Sequence, residues 1–260
     1  MSGGHARHSL YVPGDSPVHR LPAHVKLVVS FVFVLIVALT PREQVWSFAA
    51  YAVLLGVVAA VARIPARIIA SRMVVELPFV VFALLMPFLS PGPHVTVLGL
   101  SLSEAGLWSA FNVLAKATLG VVTSILLAAT TDLRAILAGL QRLRLPPLIV
   151  QIMTFMLRYA DVVSEEIRRM RIARESRGFV ARDLRQAPVI ARSAGALFIR
   201  TYERGERVHL AMLARGYRGT MPALDAEPAH ASEWLRATML PLAAAVAALA
   251  YPLCALAARI

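Results

Sequence analysis

Cysteine and lysine are scarce in this sequence, and each scarcity excludes a class of site. The single cysteine, Cys254, excludes an intramolecular disulfide bond and a metal site built from clustered cysteines. Lys26 and Lys116 are the only lysines among 27 basic residues, and neither follows a glycine. The sequence therefore contains no P-loop, the Gly-Lys motif that cradles nucleotide phosphates, and we expect that this chain is not itself an ATPase.

Charged residues are also few, whereas apolar residues are abundant. Charged side chains make up 16% of the 260 residues and hydrophobic ones 58%, a balance more apolar than ordinary globular proteins show. No stretch resembles a separately folded soluble enzyme. We therefore predict an all-α integral membrane protein in the lipid bilayer, with about five transmembrane helices and long cytoplasmic amphipathic helices.

Five stretches are apolar enough to be membrane spans, since about 20 mostly apolar residues cross about 30 Å of hydrocarbon. They are residues 25–40, 45–62, 73–89, 105–129 and 237–258. The first is short, and we expect Lys26 near its start to extend its ammonium group to the membrane interface. The predicted regions are a membrane region with four spans (1–130), a cytoplasmic helical region (131–235) and a C-terminal transmembrane helix (236–260).

Basic residues are unevenly distributed between the loops, which indicates the orientation of the chain. The segment before the first span and the loop between the second and third spans carry Arg7, Arg20, Lys26, Arg63, Arg67 and Arg72. The opposite loops carry a single cation, Arg42. We therefore predict a plasma-membrane protein with its N-terminus inside, its C-terminus outside and residues 131–233 in the cytoplasm.

The predicted cytoplasmic segment is charged but helical. Residues 131–233 hold 17 arginines and 11 acidic residues, interleaved with apolar residues at helical spacing. Three helices are predicted, over about 132–143, from Pro146 to about Met170, and over about 187–215. The apolar run PPLIVQIMTFML that opens the second helix is too short to cross a membrane. In the third, small residues at Ala194, Gly195 and Gly205 would let another helix come close.

The second and third of these helices end in similar five-residue motifs, ESRGF at 175–179 and LARGY at 213–217. A glycine just past a helix is the usual left-handed cap, and an arginine in the last turn complements the helix dipole. Capping explains either motif by itself. Two such ends, 38 residues apart, indicate a further role, in which each helix offers one arginine beside a small residue to a groove on a partner.

These endings, with the segments SPVHRLPAHVKL and TTDLRAILAGLQRLRLPPLIV, resemble the T component, the transmembrane coupling subunit of energy-coupling factor (ECF) transporters. The resemblance covers almost the whole chain and is strongest to the cobalt-type (CbiQ) branch. The two Ala-Arg-Gly-like motifs of that family match Ser176, Arg177 and Gly178 and then Ala214, Arg215 and Gly216. The first motif has serine for the commoner alanine. The family usually also has an acid after the Leu21 position and an arginine near His24.

The resemblance implies a subunit that couples motion and performs no catalysis. In the family, two cytoplasmic ATPases of the ABC type receive the helix ends in grooves, and a separate membrane subunit captures the substrate. For this chain it implies that the six motif residues couple to the ATPases. It also implies that ATP is held on partner subunits, that this chain binds no cofactor, and that the substrate is a divalent transition metal, cobalt or nickel.

Histidines and two charges inside the predicted spans are the remaining candidates. The seven histidines are too scattered to predict a metal site, His5 and His8 being the best-placed pair. Glu76 near the start of the third span and Lys116 in the fourth are candidate intramembrane polar residues, because a lone charge at the bilayer centre costs at least about 2.5 kcal/mol. We expect interfacial solvation of Glu76, and a pair or carbonyl contact inside the bundle for Lys116.

Two other classes of function stay open. A self-contained secondary transporter or channel, not coupled to ATPases, would also have several spans and buried charges, and it should show paired half-repeats or broken helices near the midplane. A membrane-tethered nucleic-acid binder would combine arginines with stacking aromatics. Here acidic residues alternate with the arginines, as on solvated helix faces, so no nucleic-acid partner is expected. These residues are Glu165, Glu166, Glu203 and Glu206.

Overall fold

The computed structural model describes residues 10–90, 94–97, 100–179, 183, 186–219 and 231–257. Contacts along the chain divide it into two compact units. The first unit contains Met1–Arg142 and Asp225–Ile260, and the second contains Leu143–Leu224.

Helices form nearly all of the described structure. In chain order they are α1 Pro17–Arg20, α2 Ala23–Leu39, α3 Val45–Val61, α4 Ala66–Arg72, α5 Leu77–Leu89, α6 Glu104–Thr130, α7 Leu133–Arg142, α8 Pro147–Glu175, α9 Ala187–Ala214 and α10 Ala231–Ala257. One 3-10 turn, Met73–Glu76, joins α4 to α5. The predicted all-α membrane fold is confirmed.

The predicted spans coincide with helices to within a few residues. Ala66–Leu89 and Glu104–Thr130 are long and apolar enough to cross a membrane, and α2 and α3 are shorter apolar helices. α10 covers the predicted fifth span as far as residue 257. The third span starts earlier than the sequence predicts, because the basic segment before it forms α4 and continues through the 3-10 turn into α5.

α8 also meets the length and composition criterion for a membrane span, although its opening apolar run is predicted to be too short. The helix is 29 residues long, and Arg158 and Asp161 are its only charged residues before Glu165. Its remaining part carries the dense charges that the sequence predicts for a helix in water. α8 therefore changes from apolar to charged along its length.

The core of the first unit lies between α2, α3, α6 and α10. Phe33 and Tyr51 are fully buried and meet edge to face, with ring centroids 5.9 Å apart. The Tyr51 hydroxyl lies 3.0 Å from Oγ1 of Thr40, which satisfies its polarity inside the core. Ser47 donates a hydrogen bond of 3.1 Å to the Ala247 carbonyl and so links α3 to α10.

α5 lies at the edge of this bundle, packed on α6. A Cβ added at Gly106 would lie 2.7 Å from Cα of Pro87 and 2.8 Å from the Met86 carbonyl oxygen, so only glycine allows this close approach. The outer face of α5 is apolar and exposed, with Leu84 66% and Leu89 74% accessible. An apolar surface of this extent is typical of contact with lipid.

A β-hairpin lies between α5 and α6, in a segment that the hydropathy pattern predicts only as an uncharged loop. Strands β1 His94–Val97 and β2 Leu100–Ser103 are antiparallel, with His94 opposite Ser103 and Val97 opposite Leu100. Alternation of apolar and polar residues in HVTVLGLSLS is the signal that predicts such strands.

The second unit is an antiparallel pair of long helices. α8 begins with Pro147 in its first turn, where the missing amide proton costs nothing. Three contacts fix the antiparallel register: Gln151 donates to the Tyr217 hydroxyl, Arg200 pairs with Glu166 at 2.6 Å, and Arg174 donates to Ser193 at 3.3 Å. The start of each helix thus lies beside the end of the other.

Candidate functional site at the ends of the two long helices

The end of α8 is closed by a Schellman motif. The amide of Phe179 donates to the Arg174 carbonyl at 3.1 Å, and the amide of Gly178 donates to the Glu175 carbonyl at 3.0 Å. Gly178 has a φ of +77°, in the left-handed region that glycine adopts without a Cβ penalty. The predicted glycine cap is confirmed, and it places Arg177 directly before the turn.

The end of α9 repeats this geometry. The amide of Tyr217 donates to the Met212 carbonyl at 3.0 Å, and the amide of Gly216 donates to the Leu213 carbonyl, also at 3.0 Å. Gly216 has a φ of +83°. Arg215 therefore occupies the same position relative to its cap as the arginine of the first motif. The similar motifs ESRGF and LARGY therefore form the same backbone structure.

The two motif arginines are available to a partner. Arg177 and Arg215 are exposed, as are the small residues Ser176 and Ala214 that precede them. Neither guanidinium forms an ion pair or hydrogen bond with a residue that the structure describes. Several arginines of the same two helices are held instead by carboxylates of α8: Arg168 and Arg169 by Glu165, Arg171 by Glu175, and Arg200 by Glu166.

The two motifs lie at opposite ends of the helix pair. The hydrogen bond between Gln151 and Tyr217 places the second motif level with the start of α8, whereas Arg177 follows the end of α8. The stretch of α8 from Gln151 to Glu175 rises about 36 Å. The unit therefore presents two matched and widely separated arginines.

A groove of about 280 Å³ lies between α8 and α9. Its lining is mainly apolar, with Phe155 and Tyr159 stacked on α8 and Gly205 on α9. A Cβ added at Gly195 or Gly205 meets nothing within 4 Å. The close helix approach predicted at these glycines is therefore not made among the described residues.

Glu76, the first intramembrane candidate, is buried in the first unit. Its side chain is 3% exposed, and its carboxylate accepts a hydrogen bond from the hydroxyl of Thr118 on α6. The sequence predicts solvation at the interface, and that prediction is wrong, because the 3-10 turn between α4 and α5 directs this residue against α6. The contact joins the third and fourth predicted spans.

The two lysines cap each other's helices, since α2 and α6 are antiparallel neighbours. Lys116 of α6 donates to the Ala38 carbonyl in the last turn of α2 at 2.8 Å, which confirms the predicted carbonyl contact. Lys26 of α2 donates to the Thr130 carbonyl in the last turn of α6 at 2.9 Å. The last carbonyls of a helix have no amide partner within that helix. Each ammonium group thus donates to such a carbonyl, at the negative end of the dipole of the facing helix.

Lys26 makes two further contacts that sequence reasoning missed. Its ammonium group donates to the His19 carbonyl at 3.1 Å and to Oγ1 of Thr131 at 3.3 Å, and the residue is only 7% exposed. The ammonium group thus reaches back past the start of α2 to α1, and its extension to the membrane interface stays a prediction. The oxygens that accept hydrogen bonds from the ammonium group come from two parts of the chain, α1 and the end of α6, so protein surrounds the group.

A comparison with protein families identifies the chain. The family model described as the cobalt transport protein, CbiQ, matches residues 14–224, which contain both Arg-Gly motifs and the two lysines. The chain belongs to the CbiQ family.

Curated relatives of this CbiQ-family chain carry two kinds of name. The energy-coupling factor transporter transmembrane protein EcfT of Bacillus subtilis is 30% identical over 230 residues, 80% of this chain and 83% of the relative. The cobalt transport protein CbiQ of Rhodobacter capsulatus is 29% identical over 187 residues, 72% of this chain and 75% of the relative. The EcfT of Heliobacterium modesticaldum is 30% identical over 226 residues.

The histidines that the structure describes in this CbiQ-family chain do not form a cluster. Among the described residues, no three side chains of histidine, cysteine, aspartate or glutamate converge in a way that could hold a metal ion. The ring of His19 bonds to the Ser16 hydroxyl at 2.7 Å and to the Val12 carbonyl at 3.0 Å. His5 and His8 lie outside the described residues.

Proposed function

We propose that the chain is the transmembrane coupling component of an ECF-type importer for a divalent transition metal, cobalt or nickel. The family match and the names of the relatives support the ECF type. The cobalt in the names of the family and of the Rhodobacter relative supports the choice of metal. The chain itself binds no cofactor and hydrolyses no ATP. Two ABC-type ATPases hold the ATP, and a separate membrane subunit captures the metal.

The observation that carries this proposal is the pair of matched Schellman ends. Arg177 and Arg215 are exposed arginines in the same backbone context, at opposite ends of one antiparallel helix pair. Two matched docking points, separated by about 36 Å along the axis of the helix pair, suit two copies of one kind of partner, each receiving one helix end. An acidic or carbonyl-lined groove on each ATPase would complement the guanidinium.

The mechanism follows from the stiffness of these helices. Closure of the two ATPases on ATP moves the docked ends, and a helix of 28 or 29 residues carries that displacement along its length. The apolar first half of α8 then transmits this displacement to lipid-exposed surfaces or to the capture subunit. The coupling residues of the proposal are the six motif residues, while Glu76 and Lys116 hold the membrane helices together.

The proposed orientation puts the N-terminus and residues 131–233 in the cytoplasm and the C-terminus outside. It rests on the arginines of the short loops, among them Arg63, Arg67 and Arg72. With it go the proposed regions 1–130, 131–235 and 236–260. Reporter fusions at Pro41, His94 and Asp183 test it, and a cytoplasmic signal at His94 would overturn the orientation.

Charge reversal tests the docking step. We expect Arg177→Glu or Arg215→Glu to weaken binding of the ATPases by about 2–5 kcal/mol and the double variant to weaken it further, since each leaves a desolvated partner group unpaired. The measurement is the amount of ATPase that co-purifies with the tagged chain. The matched control is Arg192→Glu with Arg207→Glu, since both arginines are exposed in the interior of α9. Equal ATPase recovery in both double variants would contradict the proposal.

A further inference from the structure

A second cavity lies on the outside of the first unit, between the α4–α5 segment and α6. It has a volume of about 640 Å³. Most of its wall is apolar, from Val75 and Phe79 on one side and Val121 and Ile125 on the other. Gly120 forms part of its floor, and a Cβ added there meets nothing within 4 Å. The cavity is thus an open apolar groove along α6.

One end of this groove is polar and carries an unsatisfied cation. Arg72, Ser71 and Ser124 line that end. Nη1 of Arg72 is buried and has no hydrogen-bond partner among the described residues. A buried guanidinium donor without an acceptor is costly, and phosphate oxygens are the acceptors that its planar fork matches best.

The length of the groove matches one leaflet of a membrane. Its α6 wall runs from Lys116 to Ala128, a rise of about 18 Å. Half of the hydrocarbon core of a bilayer is about 15 Å thick. Lys116, at the far end, already donates to the Ala38 carbonyl, so Arg72 is the cation left for a ligand. The groove therefore has the size of one acyl chain and a phosphate-binding group at one end.

We propose that this groove binds one anionic phospholipid. The phosphate accepts hydrogen bonds from Arg72, and one acyl chain lies over Gly120 between α5 and α6. Arg67 lies on α4, five residues before Arg72, and Arg63 precedes that helix, so their positive potential favours a headgroup with a net negative charge over a zwitterionic one. The lipid belongs to the leaflet in which α4 lies, the cytoplasmic leaflet in the proposed orientation. The inference does not depend on the coupling function.

Lipid retention by the purified full-length chain tests the proposal. The chain is incubated in neutral detergent with dioleoyl phosphatidylglycerol or dioleoyl phosphatidylcholine, and bound lipid is counted by native mass spectrometry. We expect one phosphatidylglycerol per chain, held at least about tenfold more tightly than phosphatidylcholine, because Arg63, Arg67 and Arg72 attract a headgroup with a net negative charge more strongly than a zwitterionic one. This comparison needs no variant. Equal retention of the two lipids would refute the proposal.

Two variants with matched controls locate the lipid. Arg72→Gln removes the phosphate contact and Gly120→Leu fills the groove, so each should lower phosphatidylglycerol retention about tenfold or more. Arg134→Gln removes an exposed charge on α7, away from the residues that line the groove, and Gly56→Leu adds the same side chain at another open helix position. Both controls should retain the lipid.

Three results from these variants would overturn the inference. Equal losses in Arg134→Gln and Arg72→Gln would mean diffuse attraction of anionic lipid to a basic surface. Unchanged retention in Gly120→Leu would place the lipid elsewhere. If Gly120→Leu kept its lipid but no longer co-purified with the capture subunit, the groove would be a protein-docking surface.

Discussion

Replacing Lys26 with methionine is the most informative perturbation of the membrane bundle. Methionine keeps most of the aliphatic volume but removes all three hydrogen bonds of the ammonium group, to the carbonyls of His19 and Thr130 and to the Thr131 hydroxyl. Hydrogen bonds that involve a charged group contribute about 1.5–3 kcal/mol each, but the desolvation of the buried ammonium offsets part of that gain. We therefore expect the variant to lose about 2–4 kcal/mol of stability.

Lys116→Met is the matched comparison, because it removes the reciprocal cap at the other end of the same helix pair. That ammonium makes one hydrogen bond, to the Ala38 carbonyl, and its residue is only half-buried. We expect a loss of about 1–2 kcal/mol, smaller than the loss at Lys26. Lys26→Arg should recover only part of the lost stability, since a planar guanidinium cannot direct its donors at three oxygens that surround a compact ammonium.

The assay is thermal unfolding of the purified chain in detergent, at one fixed scan rate. Tryptophan fluorescence is a suitable signal, because Trp234 packs on His24, two residues from Lys26, with ring centroids 5.9 Å apart. A loss of about 2–4 kcal/mol corresponds to a fall in Tm of about 5–15 °C for a chain of this length. The reasoning is refuted if Lys26→Met lowers Tm by less than about 2 °C, or by less than Lys116→Met does.

Two glycine predictions follow from the backbone geometry. Gly178→Ala and Gly216→Ala should each lower the stability of the helix end by about 1–2 kcal/mol, because φ is positive at both positions. An added Cβ meets no atom within 4 Å at either position, so backbone strain is the whole cost. Amide hydrogen exchange in the last helical turn should then be faster in the alanine variants than in the wild type, and less so in Gly178→Asn and Gly216→Asn. Equal exchange rates in all of these forms would contradict this prediction. Gly106→Ala should destabilise the chain by about 1–3 kcal/mol through its clash with the α5 backbone. The control Gly56→Ala, in open space, should be neutral or stabilising in the same thermal assay.

Local patterns in the sequence account for the helices and for the motif geometry. The spacing of apolar residues from Pro146 onward predicts α8. The motifs ESRGF and LARGY predict the left-handed caps at Gly178 and Gly216. Each of these features depends on residues within a few positions of one another. Sequence analysis can therefore find them without any knowledge of tertiary contacts.

Contacts between distant residues could not be predicted in this way. The Lys26 ammonium meets Thr130 and Thr131 across more than a hundred residues, and nothing near Lys26 in the sequence names those partners. The antiparallel register of α8 and α9 depends on pairs such as Glu166 with Arg200. That register, and with it the separation of the two motifs, is information that only the fold supplies.

ATP-dependent cobalt uptake into proteoliposomes is the most direct test of the coupling role. The vesicles contain this chain together with the proposed ATPases and capture subunit. The chain is the wild type, Arg177→Glu/Arg215→Glu, or the control Arg192→Glu/Arg207→Glu. We predict that the wild type and the control import cobalt only when ATP is present, and that the motif double variant imports none although its capture subunit still binds cobalt. Full ATP-dependent uptake by the motif double variant would contradict the account.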